Sequence, residues 1–181
     1  MKKLLIQLSL LLSCLFLVSQ AGVAGWDPNE KAELQRDAAE AIRKFKNNDP
    51  SLKSFFNQAS GYVVFPTVGK GGIGIGGAYG EGVVYAGGQV IGYSSLKQVT
   101  IGFQLGGQAY SELIFFKDKA TLDRFKSEKV EFDAQLSAVA ATAGAAANAD
   151  YSSGVAVFTL TKGGLMYEAS VGGQHFSFDA K

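Results

Sequence analysis

The hydrophobic pattern of the first part of the chain predicts two consecutive helices. From Asn29 to Lys46 the apolar residues recur three or four positions apart, so they fall on one face of a helix. Asp27 offers a capping carboxylate and Pro28 suits the first helical position, which places the start of this helix. A second start signal, Asp49-Pro50, predicts a short helix directly afterwards.

From Gly61 to Phe116 the period changes to two, which is typical of antiparallel strands. Between Gln98 and Leu105, apolar residues alternate with small or polar ones. We expect turns at Gly80-Glu81-Gly82 and at Gly87-Gly88 to separate the strands. Asp118 then predicts the cap of an inserted helix that ends near Lys126.

The last part of the chain predicts more strands. The stretch Val130 to Thr142 contains alanines that favour a helix, but its alternating polar residues favour a strand, which we predict. A loop of small residues follows, and three short strands are expected at Val155–Thr161, Leu165–Ser170 and Gln174–Phe178. The fold class is therefore α+β: an antiparallel, β-rich curved or barrel-like sheet with amino-terminal amphipathic helices and one inserted helix.

The stretch Gly61 to Tyr85 is the centre of this arrangement, because two apolar runs flank a predicted glycine-rich turn that carries Lys70. Three of its glycines satisfy the GxGxxG spacing of dinucleotide sites, but no helical period follows, so nucleotide binding is disfavoured. We interpret the stretch as a β-hairpin. The candidate turn residues are Gly69, Gly71, Gly72, Gly74, Gly76 and Gly77.

The first residues, Met1 to Ala24, have the pattern of a secretory signal peptide, with two lysines, an apolar stretch and small residues at a cleavage site after Ala21 or Ala24. Cys14 lies in a stretch that resembles a loose lipobox. Because the apolar run continues after it, we favour ordinary cleavage over lipidation. The protein is thus predicted to be exported, to the periplasm or the periphery of an outer membrane, with one domain from Asp27 to Lys181.

Charge and composition exclude several classes of protein. The chain has 17 basic and 16 acidic residues, and without Lys2 and Lys3 the 15 remaining bases face 16 acids, so nucleic-acid binding is disfavoured. The only histidine, His175, has no second histidine or cysteine with which to complete a metal set. No serine lies in a GxSxG elbow, and no pair of acids is placed for hydrolysis. We expect no enzyme activity, cofactor or metal.

Three segments carry a resemblance to a known family, and they occur in the family's order within Asn29 to Phe178. The chain resembles the SYLF family, whose bacterial members are envelope proteins and whose eukaryotic members bind phosphoinositides and actin. The resemblance implies lipid binding by a glycine-rich β domain behind an amphipathic helix, without catalysis. The segments are VFPTVGKGGIGIGGAYGEGVVY, IGFQLGGQAYSELIFF and GVAVFTLTKGGLMYEASVGGQ.

The function predicted from the sequence is binding of anionic phospholipid at the surface of a bacterial cell envelope. Actin is disfavoured as a partner because an exported protein does not meet it. An integral outer-membrane β-barrel, or a structural or adhesion module that binds another protein, are the alternatives. The candidate lipid-binding residues are Arg43, Lys44, Lys46, Lys53 and Lys70.

Overall fold

The computed structural model describes residues 27–102, 107–127, 130–131, 138–162 and 173–181. The predicted signal peptide, Cys14 and the predicted strand Leu165–Ser170 lie outside the described residues. The chain divides into a unit Met1–Lys31, of which only the start of a helix is described, and a compact unit Ala32–Lys181. The elements below belong to the second unit, apart from the first turn of α1.

Three α-helices are described, and the predicted starts of the first and the third are confirmed, whereas Asp49-Pro50 begins a 3₁₀ turn that precedes the second. Helix α1 is Pro28–Asn48, α2 is Lys53–Gln58 and α3 is Lys119–Lys126. The Oδ1 atom of Asp27 accepts a hydrogen bond of 2.7 Å from the amide of Asn29, and Oδ1 of Asp118 accepts one of 2.8 Å from Thr121. These carboxylates satisfy amides that a helix start leaves without partners. Two 3₁₀ turns, Pro50–Leu52 and Ala145–Asn148, complete the helical structure described.

The described strands form one sheet with the order β4-β7-β2-β1-β3-β6-β5. Neighbouring strands are antiparallel, except that β5 and β6 are parallel, and within the described residues the sheet is curved but not closed. This confirms the predicted α+β class. The strands are β1 Gly61–Ala86, β2 Gln89–Gly102, β3 Gln108–Phe116, β4 Val130–Glu131, β5 Val139–Ala140, β6 Val155–Thr161 and β7 Gln174–Ala180.

The predicted glycine-rich turn is wrong, because Gly61 to Ala86 is one continuous strand of 26 residues. The predicted turn at Gly80-Glu81-Gly82 is wrong for the same reason. The turn at Gly87-Gly88 is confirmed, with φ angles of +57° and +78° that suit glycine. Instead of turning, β1 changes partner: residues 61–70 pair with β3 and residues 74–86 pair with β2.

Two glycines of β1, Gly80 and Gly82, are explained by a close approach between its two halves. A Cβ atom on Gly82 would lie 2.8 Å from the carbonyl oxygen of Val64 and 2.7 Å from the ring of Phe65. A Cβ on Gly80 would lie 2.9 Å from the carbonyl oxygen of Thr67. Glycine is therefore required here because another backbone comes close, and not because the chain turns.

The hydrophobic core is built from both halves of β1 and from the strands that pair with each half. Phe65 and Val84 of β1 are fully buried, as are Leu96 of β2 and Ile114 of β3. Phe125 of α3 joins this cluster. Helix α1 buries a separate apolar stripe, Ala38, Ala41 and Phe45, while Leu34 and Ile42, which the helical period also places on the apolar face, are half-buried.

The strand predicted from Val130 to Thr142 is also corrected. Val130–Glu131 pairs with β7, whereas Val139–Ala140 pairs with β6, and these two pairings lie at opposite edges of the sheet. Residues 132–137 lie outside the described part of the chain. The alternating pattern therefore marks two short edge strands and not one.

A buried carboxylate ties the second helical region to a distant loop. Asp49 is fully buried, and its side chain accepts hydrogen bonds from the amides of Ser51 (3.0 Å), Gly144 (3.1 Å) and Ala146 (2.7 Å). Burial alone would raise the pKa of Asp49, but these hydrogen bonds and one from the Ser51 hydroxyl hold it below its usual range. Asp49 was predicted only to start a helix.

Substitution of Gly82 tests the close approach of the two halves of β1. We expect Gly82→Ala to lower the free energy of unfolding by about 1–3 kcal/mol, because the carbonyl oxygen of Val64 cannot move without displacing its strand. Gly69→Ala is the matched control on the same strand, since a Cβ there meets no atom within 4 Å. Chemical denaturation measures both, and equal stabilities of the two variants would contradict the packing argument.

Candidate functional site

The predicted basic cluster at the end of α1 is divided by the geometry of the helix. Successive residues of an α-helix are about 100° apart, so Lys44 and Lys46 point to opposite flanks. The Nζ atom of Lys44 lies 2.6 Å from a carboxylate oxygen of Glu40, and Nζ of Lys46 lies 4.3 Å from the ring centre of Phe56. Arg43 and Lys53 are exposed. The structure therefore separates Lys44 from Lys46.

Lys70, the fifth predicted cation, belongs to a different environment. It is half-buried on β1, at the end of the segment that pairs with β3. Burial lowers the pKa of Lys70, and the charge of Glu112 acts in the opposite direction. Lys70 is thus partly shielded from the solvent, and its charge interacts with that of a buried acid.

That acid is part of a polar core cluster, which we define as Lys70, Tyr110, Glu112 and Gln174. Glu112 on β3 and Gln174 on β7 are both fully buried, and Nε2 of Gln174 donates a hydrogen bond of 3.0 Å to Oε2 of Glu112. The bond joins strands that are three places apart in the sheet order. The two Oε1 atoms are buried without a hydrogen-bond partner among the described residues.

Burial raises the pKa of Glu112 to about 7, from an ordinary value of 4.5. Hydrogen bonds from Gln174 and Tyr110 and the charge of Lys70 act in the opposite direction but do not cancel the effect of burial. The same burial raises the pKa of Tyr110. Glu112 is therefore a neutral acid in the folded protein below pH 7.

A second feature lies on the outer face of the sheet, and we call it the outer patch: Tyr79, Lys97 and Val99. Val99 is 76% exposed and Tyr79 is 50% exposed, the two exposed large hydrophobic residues among those described. In the pairing of β1 with β2, Tyr79 lies opposite Lys97 and Val99 lies opposite Gly77. Because Gly77 has no side chain, no cross-strand neighbour on β1 covers Val99.

The outer patch continues a face of β2 that α1 covers farther along the strand. Tyr93 is buried, and its hydroxyl accepts a 2.6 Å hydrogen bond from Nε2 of Gln35 on α1. Lys97 and Val99 lie on the same face by alternation and are exposed. Val99 is six residues from Tyr93, which is about 20 Å along a strand. The helix therefore leaves this end of the sheet uncovered.

The predicted glycine site does not form a phosphate cradle. Gly69, Gly71, Gly72, Gly74, Gly76 and Gly77 are spread along β1 as strand residues, and no helix follows them. Among the described residues, no three acidic, histidine or cysteine side chains are gathered to hold a metal ion, and His175 is exposed on β7. None of the described helices combines the length and the hydrophobicity needed to cross a membrane.

Sequence reasoning missed the partners of Lys70 and the outer patch. Glu112 stands in an alternating row with Tyr110, Ile114 and Phe116, where a charge is unexpected. A charged residue within an apolar row of a strand is a sequence signal for a buried polar group. Gln174 could not be paired with it, because β3 and β7 are distant in sequence and in sheet order.

Glu112 makes the stability of the protein dependent on pH. The folded chain keeps this proton up to about pH 7, whereas the unfolded chain loses it near 4.5, so the free energy of unfolding falls as the pH rises through this window. The decrease assigned to Glu112 is roughly 3 kcal/mol. We expect Glu112→Gln to remove it, as measured by urea unfolding from pH 5 to pH 8.

Glu33→Gln, on the exposed surface of α1, is the control for the loss of one acidic group. It should leave the pH dependence of the parent protein intact. Parallel stability curves for the parent and Glu112→Gln would show that Glu112 is already ionised in the folded protein.

Comparison with known proteins adds two findings. Residues 97–181 match the family described as Ysc84, Las17-binding protein actin regulator. The chain is also 28% identical over 141 residues to Beta cell expansion factor A of Aeromonas veronii, an alignment that covers 77% of this chain and 53% of that protein. The chain thus spans about half the length of this curated relative.

The matched region begins within β2, at Lys97 of the outer patch, and includes Glu112 and Gln174. That family is not an enzyme family, and the match supports a lipid-binding or an actin-related role. The sequence resemblance is confirmed to this extent: residues 97–181 match the Ysc84 (SYLF) family.

Proposed function

We propose that this protein is a non-enzymatic, peripheral binder of anionic phospholipid membranes and that the outer patch is its contact surface. The observation that carries the proposal is the exposure of Val99 and Tyr79 next to Lys97 at the uncovered end of the sheet. An apolar side chain can enter the interfacial region of a bilayer, while a neighbouring lysine pairs with anionic head groups.

The magnitudes favour reversible binding. Full burial of a valine side chain contributes about 1.5–3 kcal/mol, and a lysine near an anionic surface contributes about 1 kcal/mol. The interaction of Lys97 is screened over about 8 Å at physiological ionic strength, whereas the apolar contribution is not screened. Binding should therefore be moderate and only partly sensitive to salt.

The cations predicted from the sequence take a smaller part in this proposal. Lys44 pairs with Glu40 and Lys46 lies over Phe56 on the other flank of α1, so a flat membrane cannot contact Lys44 and Lys46 equally at the same time. Their joint contribution is then less than the roughly 4 kcal/mol that four independent contacts would give. Lys70 is half-buried beside Glu112 and is assigned to the interior of the sheet.

The membrane of a bacterial cell envelope is the proposed location. The signal-like residues Met1 to Ala24 support export, and an exported protein meets phospholipid surfaces rather than actin. The actin regulation in the family's description is therefore kept as the competing function. Sedimentation with purified actin filaments, in the absence of lipid, would support that competing role.

A charge introduced into the outer patch tests the proposed contact. Val99→Asp places a carboxylate where the valine would enter the membrane, and we expect at least a tenfold loss of affinity for phosphatidylglycerol-containing vesicles. Gln89→Asp is the matched control, because it adds the same charge at an exposed position on the other end of β2. Co-sedimentation measures both, and an equal loss in the two variants would remove the outer patch from the contact.

The helix cations are tested separately by changing Arg43, Lys44, Lys46 and Lys53 together to Gln. We expect at most a threefold loss of vesicle affinity at low salt, since Lys44 and Lys46 face different directions. Helix α1 should persist because Gln retains good helix propensity. A loss above thirtyfold in this variant, with normal binding by Val99→Asp, would move the contact surface to the helix.

A further inference from the structure

A cavity of about 480 Å³ is lined by α2, the second 3₁₀ turn and the residues that follow each of β3 and that turn, and it includes no residue of the outer patch or of the polar core cluster. Its floor contains Phe55 of α2 and Tyr151, whose ring centres are 5.3 Å apart. Ala146 and Ala147 of the second 3₁₀ turn form a wall without large side chains. The volume falls within the range of about 300–1,000 Å³ that is typical of small-molecule sites.

The rim of this cavity holds two opposite charges that are not used elsewhere. Lys117 and Asp150 both line it, and in the described part of the chain neither takes part in an ion pair. Asp118, next to Lys117, directs its carboxylate to Thr121 instead. The cavity thus presents one cation and one anion above an aromatic floor.

The walls of the cavity are held in place before any ligand arrives. Asp49 accepts hydrogen bonds from the amides of Gly144 and Ala146, so its buried carboxylate fixes the alanine wall. Phe55 is held by its contacts with Phe115 and Phe158, at ring-centre distances of 5.4 Å and 5.0 Å. A preformed site loses less entropy when it binds a ligand.

One further group, on a residue that lines the cavity, lacks a partner. The Tyr151 hydroxyl is buried and has no hydrogen-bond partner among the described residues. Tyr151 lines the cavity, whereas its hydroxyl is closed to solvent in this structure, so the contribution of Tyr151 to the cavity is that of its aromatic ring.

We propose that this cavity binds a zwitterionic aminoalkyl phosphate, the chemistry shared by a phosphoethanolamine or phosphocholine lipid head group and by the corresponding free phosphodiester. Lys117 pairs with the phosphate. The ammonium group lies between the carboxylate of Asp150 and the ring of Tyr151, since a cation is attracted both to a carboxylate and to an aromatic face. Ser54 and Gln58, four residues apart on one face of α2, line the cavity and supply further polar contacts.

The ligand chemistry is tested by calorimetric titration of the full chain with four soluble probes. We expect glycerophosphocholine and glycerophosphoethanolamine to bind with dissociation constants between about 0.1 and 1 mM, which corresponds to about 4–5.5 kcal/mol. Glycerol 3-phosphate lacks the ammonium and choline lacks the phosphate, so each should bind at least tenfold more weakly. Absence of heat with both zwitterions at 10 mM would overturn the proposal.

Charge reversals locate the site. Lys117→Glu and Asp150→Lys should each weaken the binding of glycerophosphocholine at least fivefold. Lys53→Glu is the matched control, because Lys53 is an exposed cation on α2 that does not line the cavity. Equal weakening by Lys53→Glu and Lys117→Glu would overturn the assignment to this cavity.

Vesicles of pure phosphatidylcholine distinguish a membrane head group from a free phosphodiester. If the ligand is a membrane lipid, Lys117→Glu lowers vesicle binding in parallel with its effect on the soluble probe. If the ligand is free, the soluble probe alone is affected. The test of the cavity is independent of the test of the outer patch, because Val99→Asp leaves the cavity intact and Lys117→Glu leaves Val99 and Lys97 intact.

Discussion

The structure depends on one steric constraint, the approach of the two halves of β1 to each other. At Gly80 and Gly82 a carbonyl oxygen of the first half occupies the space that a Cβ atom would need. A single strand can therefore pair with β3 at its beginning and with β2 at its end, and the strands of both pairings can share one core. The polar core cluster follows from the same approach, since Glu112 of β3 meets Gln174 of β7 only when the sheet is folded in this way.

Structural features that depend on residues close together in the sequence were predicted correctly. Helix starts depend on a carboxylate two or three positions before the amide that it caps, so Asp27 and Asp118 could be identified without a structure. The alternation of β2 and β3 also follows from local pattern. The glycines of β1 were misread because a glycine that avoids a steric clash and a glycine that permits a turn are the same letter in a sequence. Only the distance from Gly82 to Val64 separates these two uses.

The candidate sites were harder to predict, because each depends on residues that are distant in the sequence. Lys70 was singled out as a surface charge, yet its environment is set by Glu112, which is 42 positions later. The exposure of Val99 is decided by Gly77 opposite it and by the end of the coverage by α1. The charges of Arg43, Lys44 and Lys46 were identified correctly, but adjacent positions in a helix diverge in space.

The two short strands at the margins of the described sheet affect how readily the protein self-associates in concentrated solution. Edge strands expose unpaired amides and carbonyls that recruit other chains, and proteins guard against this by keeping such strands very short. Here the short strand Val130–Glu131 pairs with β7, and the short strand Val139–Ala140 pairs with β6. Both come from the same stretch of chain, so a single proteolytic cut or deletion within it would weaken the protection of both margins together. A change within this one stretch would therefore alter both margins of the described sheet at once.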